Sequence, residues 1–159
     1  MLHNWFECKV KFEKTMENGM QKKVSETYIV DALSFTEAEA HIIEEVTPFI
    51  SGEYQVSDIK RAKYAEIMFS KDTKDDCWFK AKLTFVTLDE KSGGEKKTSS
   101  VVLVQACDLR EAVKKVDQNM KGSMSDYTIS SLTETAVMDV YPYEAAEDSK
   151  KSNNERRIA

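Results

Sequence analysis

The chain has 159 residues, of which 41% are hydrophobic and 32% charged, with five Gly and two Pro. That composition suits one ordinary globular domain and excludes disordered, fibrous and collagen-like classes. A formal net charge of −5 argues against broad attraction to nucleic acid or anionic membrane.

No run approaches the roughly 18–20 apolar residues of a membrane span, and "MLHNWFECKV" lacks the basic stretch and apolar run of a secretion signal. A cytoplasmic protein with no membrane partner is expected. Cys8, Cys77 and Cys107 are odd in number and show no CxxC spacing, so three reduced thiols are expected rather than a disulfide framework.

The first element is a strand. In "WFECKVKF" (5–12), Phe6, Cys8, Val10 and Phe12 alternate with Trp5, Glu7, Lys9 and Lys11, the two-residue period of a half-buried strand. Asn18-Gly19 then marks a hairpin tip, and "VSETYIVDAL" supplies a second strand rich in β-branched residues. Ser34 and Glu37 stand at capping-box spacing before a helix carrying Phe35, Ala38, Ile42, Val46 and Phe49, which Pro48 ends or distorts. Gly52 introduces a third strand over 54–69.

The same order then recurs. "WFKAKLTF" (78–85) matches the first strand, Gly93-Gly94 the hairpin tip, and "TSSVVLVQAC" the second strand. Asp108 and Glu111 cap a helix through Leu109, Ala112, Val116 and Met120, and a third strand covers 127–141 after Gly122. Trp5 falls on Trp78, Val30 on Val104, Ala38 on Ala112 and Tyr54 on Tyr127. Three blocks matching in one order imply an internal duplication.

The expected fold is α+β, a tandem duplication of a ββαβ unit with antiparallel sheets and one helix per repeat packed on one face. Each sheet should run second, first, third strand. The repeats occupy 1–70 and 77–141, joined by a polar link at 71–76, and together form one pseudo-symmetric domain. Residues 142–159 lose hydrophobic periodicity and read as a disordered tail.

The phrases "WFECKVKFEKTMENGMQKKV", "DALSFTEAEA", "SDIKRAKYAEI" and "VMDVYPY" resemble a domain-of-unknown-function family (DUF 4494) of Bacteroidetes and their phages and mobile elements. The resemblance implies a bacterial or phage origin. It carries no activity, catalytic residue or cofactor onto these positions.

The residues themselves assign no catalytic group, cofactor or metal ligand. His3 and His41 lack motif spacing and read as structural or surface histidines. Cys8 and Cys107 read as small buried hydrophobes, while Cys77, at a strand entrance, is the thiol most open to reaction. Gly93-Gly94 lacks the Lys-Ser/Thr of a phosphate loop.

Two sets of residues stand out as binding candidates. Trp5 and Lys9, repeated as Trp78 and Lys82, lie on the strand face opposite Phe6, where the Trp cover one another's sheets, pack in an oligomer interface or stack a ligand. Lys60, Arg61 and Lys63 form a basic run with no counterpart in the second repeat, suited to guarding a strand edge or contacting an anion. The expected function is a non-catalytic binding or interaction protein, an adaptor or regulator whose partner is another protein or a second copy. A sensor or sequestering protein for a small anionic ligand, and a nucleic-acid-binding module, are the alternatives.

Overall fold

A computed structural model describes residues 4–122 and 126–142. The fold is mixed α+β, with elements β1 (Trp5–Thr15), β2 (Gln21–Asp31), α1 (Phe35–Val46), β3 (Tyr54–Ala62), β4 (Glu66–Met68), β5 (Cys77–Leu88), β6 (Glu95–Ala106), α2 (Leu109–Asn119), β7 (Asp126–Glu134) and β8 (Val137–Tyr141). They build two four-stranded sheets, ordered β3-β1-β2-β8 and β4-β6-β5-β7. The described residues divide into two compact units, those up to 62 with those from 136, and those between 63 and 135. His3, and the expected tail from 143 onward, lie outside the described residues.

Turn chemistry sets both hairpins. Gly19 takes φ 82° and Gly93 φ 73°, values that cost residues with a Cβ. The Met16 amide donates to the Met20 carbonyl at 2.8 Å, and the Asp89 amide to the Gly94 carbonyl at 2.8 Å. Register then runs without a slip from Trp5 opposite Asp31 to Thr15 opposite Gln21, and from Cys77 opposite Ala106 to Leu88 opposite Glu95.

Alternation along the strands decides what each sheet buries. Phe6, Cys8 and Val10 meet Tyr28 and Val30 of β2 and Ala38, Ile42 and Val46 of α1 in one core. Phe79, Ala81 and Leu83 meet Val102, Val104, Ala112 and Val116 in the other. Each large side chain so buried contributes about 1.5–3 kcal/mol.

Both helices start where their caps dictate. Ser34 Oγ accepts from the Glu37 amide at 3.1 Å, while the Glu37 carboxylate accepts from the Leu33 amide at 2.9 Å, one residue earlier than a standard capping box. Asp108 accepts from the Glu111 amide at 2.8 Å, but the Glu111 carboxylate turns to Lys114 at 3.4 Å. α1 stops at Val46 with Thr47 as its cap, so Phe49 lies beyond the helix its spacing suggested; Pro48 follows the cap and cannot extend the helix.

Two expectations need correction. The stretches 54–69 and 127–141 are not single strands: each breaks, at Lys63–Ala65 and at Thr135–Ala136, and the second piece joins the other sheet. The sheets are also mixed rather than antiparallel throughout, since β8 pairs parallel to β2 and β4 parallel to β6. Neither β4 nor β8 is the hairpin partner of the strand it joins, so no tight turn imposes an antiparallel direction.

The helix flanks are defined by their contacts. On one flank of α1, His41 faces the Tyr141 ring of β8 at 6.5 Å, and on the matching flank of α2 the Asn119 amide donates to Glu66 of β4 at 3.1 Å. On the other flank, Phe35 of α1 meets Arg61 of β3, and Asp117 of α2 accepts from the Tyr127 hydroxyl of β7 at 2.7 Å. One flank thus leans on β8 or β4 and the other on β3 or β7.

Candidate functional site

The two Trp are not surface platforms. Trp5 is 6% exposed and Trp78 is 1% exposed, and Phe69 meets the Trp78 ring edge-on at 5.6 Å. Of the two readings of these rings, such burial goes against the stacked ligand, because a ring so covered has no face to offer a base or nucleotide. Lys9 and Lys82 remain exposed on the strand face opposite Phe6 and Phe79, away from the helices.

The basic run is also dispersed. Lys60 and Arg61, adjacent on β3, point to opposite faces of the sheet, as strand geometry requires. Lys60 pairs with Glu7 at 3.0 Å on the face away from α1. Arg61 lies over the rings of Phe6 (5.3 Å) and Phe35 (5.5 Å) on the helix side. Lys63 follows the end of β3 and belongs to the other compact unit.

What survives of that cluster is a different arrangement, centred on Arg61. Phe6 and Phe35 meet edge-to-face at 5.1 Å, and the guanidinium covers both rings. Phe35 nevertheless remains 48% exposed, with Leu33 and Ile43 also exposed. Phe35, Glu39 and Ile43 recur every fourth residue and so share the helix flank that leans on β3. β3 is the sheet's outer strand and has no strand beyond it among the described residues. An open row of backbone donors and acceptors thus runs beside a helix flank that carries Phe35 and Ile43 with the exposed Glu39 carboxylate between them, topped by Arg61.

A second polar centre lies in the unit 63–135. Asp75 is 2% exposed and its carboxylate accepts from Ser70 Oγ at 2.5 Å and from Lys115 Nζ. Lys115 also donates to the Gln105 carbonyl at 3.1 Å, and the Ser70 amide to the Gln105 side chain at 2.9 Å. In the other unit His41 Nδ1 lies 3.0 Å from the Asp31 carbonyl and Nε2 lies 3.4 Å from Glu45. Burial lowers the His41 pKa, but Glu45 and the Asp31 carbonyl more than offset this and hold it above the ordinary value. Both arrangements fasten a helix to the end of its sheet.

The thiols are not activated. Burial, with Glu7 and Asp58 adding to it, pushes Cys8 up to about 12. Burial, Asp76 and Glu134 push Cys77 up to about 11, away from the depressed pKa that a nucleophilic thiol needs. Cys107 is only half-buried, not the buried hydrophobe expected, and is likewise raised by burial and then by Asp108. Iodoacetamide at neutral pH is expected to leave Cys8 unmodified until the protein unfolds and to alkylate Cys77 and Cys107 more slowly than a free peptide thiol. Peptide mass spectrometry after timed quenching measures this, and rapid labelling of native Cys77 would show an activating environment.

An open groove of about 750 Å³ lies near the hairpin end of the first sheet, lined among others by Lys11, Lys23, Glu13, Glu53, Tyr54 and Gln55. Its two lysines are matched by two carboxylates, so it has no preference for anions. Among the described residues, no group of three or more His, Cys, Asp or Glu is placed to hold a metal ion.

The fold and this surface define an α+β protein with unfilled sheet edges. The family described as Domain of unknown function (DUF4494) matches residues 4–143, and the chain belongs to that family. No curated protein matches it.

Proposed function

We propose that this is a non-catalytic interaction protein that takes up an extended segment of a partner protein along β3. The observation carrying the proposal is the juxtaposition on one side of α1 of an unfilled strand edge, the exposed Phe35 and Ile43, and Arg61. Strand addition at an edge draws affinity from main-chain hydrogen bonds and specificity from alternate side chains. Phe35 and Ile43 lie about 12 Å apart along the helix at 1.5 Å per residue, close to the spacing of side chains four residues apart on a strand. An apolar residue at alternate positions of the partner would cover this flank, and an acidic residue would meet Arg61. Aromatic and Arg side chains are also the usual carriers of interface energy.

The proposal includes an origin by duplication, with each repeat lending its last strand to the other's sheet. Its support is positional: Glu66–Met68 lie against Val102–Val104 as Asp139–Tyr141 lie against Tyr28–Val30. His41 and Lys115 reach the carbonyls of Asp31 and Gln105, which correspond in the repeat alignment. An adaptor of bacterial or mobile-element origin, as the resemblance implies, fits this reading.

The test is a titration of isotope-labelled protein with a heptapeptide of alternating valine and glutamate, followed by amide NMR. Shifts are expected in β3 and the Phe35–Ile43 flank, with affinity falling about tenfold in Phe35→Ala, as for an interface anchor worth more than about 1 kcal/mol. Shifts confined to other elements, or no binding at all, would sink the proposal.

A further inference from the structure

The half-buried His41 sits between two acceptors. Its Nδ1 lies 3.0 Å from the Asp31 carbonyl, and its Nε2 lies 3.4 Å from a carboxylate oxygen of Glu45, one turn further along α1. A neutral imidazole carries one N–H and one bare nitrogen. With the proton on Nδ1, the bare Nε2 faces the Glu45 carboxylate; with the proton on Nε2, the bare Nδ1 faces the carbonyl. Only the imidazolium, with an N–H on each nitrogen, donates to both. Glu45 is 7% exposed, so a carboxylate facing a bare nitrogen there is costly.

We propose that His41 is a proton-operated clasp: as an imidazolium it ties α1 to the end of β2, and as rising pH removes its charge α1 loosens there while α2 stays tied. The second repeat carries the permanent form of this fastening. Lys115 occupies the position of His41 in the repeat alignment and donates to the Gln105 carbonyl at 3.1 Å, as His41 does to that of Asp31. Its carboxylate partner is Asp75. An ammonium keeps its charge well above neutral pH, whereas a histidine gives its charge up within the physiological range. One helix is therefore held by a charge that persists and the other by a charge that titrates.

The elements packed around His41 favour the charged ring. α1 itself brings Glu44 and Glu45, and β2 brings Asp31, Tyr28 and the Glu26 that Tyr28 bonds. β8 brings Tyr141, its ring 6.5 Å away, and Asp139 opposite Tyr28, while β1 brings the Cys8 thiol into the same core. The cation Arg61 lies on the opposite flank, over Phe35. Burial lowers the His41 pKa, but the bonds to Glu45 and the Asp31 carbonyl, with the charges of Glu45 and Glu44, outweigh it and hold the group above its ordinary value. A group raised in this way contributes stability that is complete below the unfolded-state value of about 6.5 and is lost as pH rises through the higher folded value. The same helix carries Phe35 and Ile43 on its other flank, so the clasp sets how firmly that flank is held, yet nothing in the clasp depends on the β3 reading.

The test is nitrogen-15 NMR of the full chain with labelled histidine rings, titrated alongside a free histidine peptide. Both ring nitrogens of His41 should remain protonated at the pH where the peptide is half neutral, and the ring should titrate above it. A His41 ring that is a single neutral tautomer there, or that titrates at or below the peptide, overturns the proposal. Hydrogen exchange on the same protein reads the clasp itself. Corrected for intrinsic base catalysis, protection of the amides of 44–46 in α1 should fall at least about tenfold as His41 titrates, the loss expected for one charge-assisted hydrogen bond, while that of 116–119 in α2 stays level. His41→Lys, which copies the second repeat, should keep α1 protection level through the same range. Protection of α1 that ignores pH, or that falls equally in α2 or in His41→Lys, overturns the proposal, and the wild-type readings stand without the variant.

Discussion

A chain ended after Thr135 should fail to fold cooperatively, although it retains every residue of β1, β2, α1 and β3. The cut removes β8, which supplies Val137, Val140 and Tyr141, all buried, and pairs with β2 from Thr27 to Val30. Tyr141 packs in the first core and stacks on Tyr28 with ring centroids 5.9 Å apart. At about 1.5–3 kcal/mol per buried side chain, the three residues account for roughly 5–9 kcal/mol, comparable to the whole net stability of a small domain. Denaturant unfolding followed by near-ultraviolet circular dichroism measures the effect. A steep transition in the shortened chain, within 1–2 kcal/mol of the full one, would mean β8 is an ornament on the sheet. Tyr141→Ala is the milder version and should cost about 3–5 kcal/mol, the usual range for a buried large aromatic.

Removing one side of the Asp75–Lys115 pair should be nearly as damaging. Lys115→Met leaves a carboxylate that is 2% exposed without its cation, and its second oxygen already has no hydrogen-bond partner. Breaking a buried ion pair in this way costs about 3–5 kcal/mol, whereas replacing both partners by apolar residues of similar size is often neutral. The double variant Asp75→Leu, Lys115→Met should therefore be more stable than Lys115→Met alone. A double-variant loss equal to the sum of the two single losses would show that the two side chains do not depend on each other.

Acidity gives an independent check on the same pair. Burial raises the Asp75 pKa, but Lys115 and Ser70 outweigh it and hold the group below the ordinary carboxylate value. A depressed folded-state pKa contributes stability that is complete above the unfolded-state value of about 4 and is lost as pH falls through the lower folded value. In Lys115→Met the depression is relieved, so Asp75 no longer makes folding lose stability on acidification, and the gap in stability between wild type and variant should narrow as pH falls below about 4. A gap that stays constant with pH would place the carboxyl outside the proton balance of folding.

Much of the local structure was legible in the residue order. Asn18-Gly19 and Gly93-Gly94 announced the hairpins because positive φ is cheap only for residues of that kind. The alternation of Phe6, Cys8 and Val10 named the buried face, and Ser34 and Asp108 marked the helix starts that they cap. The separation of Lys60 from Arg61 was available in the same alternation, since neighbours on a strand face opposite ways, yet a run of three basic residues read as a patch.

Other features had no local signal. The breaks at Lys63–Ala65 and Thr135–Ala136 contain neither Gly nor Pro, and the choice of β2 as the partner for β8 is made by residues far away in the chain. The burial of the two Trp likewise depends on what covers the far face of each sheet, which periodicity does not report. Asp75 sat in a polar stretch that looked like solvated linker. Only the fold brings it to Lys115, on the middle of a helix that begins after β6.

The late arrival of β8 bears on how the chain is made. As it leaves the ribosome, the hairpin β1–β2 and α1 can form within a short length of chain, but the outer row of β2 has no strand until residues 137–141 emerge. The first sheet must therefore wait through synthesis of β3 to β7 with an exposed strand edge. Pairings of such long sequence separation are slow to form and leave intermediates prone to aggregation. Chaperone demand, translation pauses before the codons of β8 and misfolding of products truncated ahead of it are the cellular terms in which this topology would be felt.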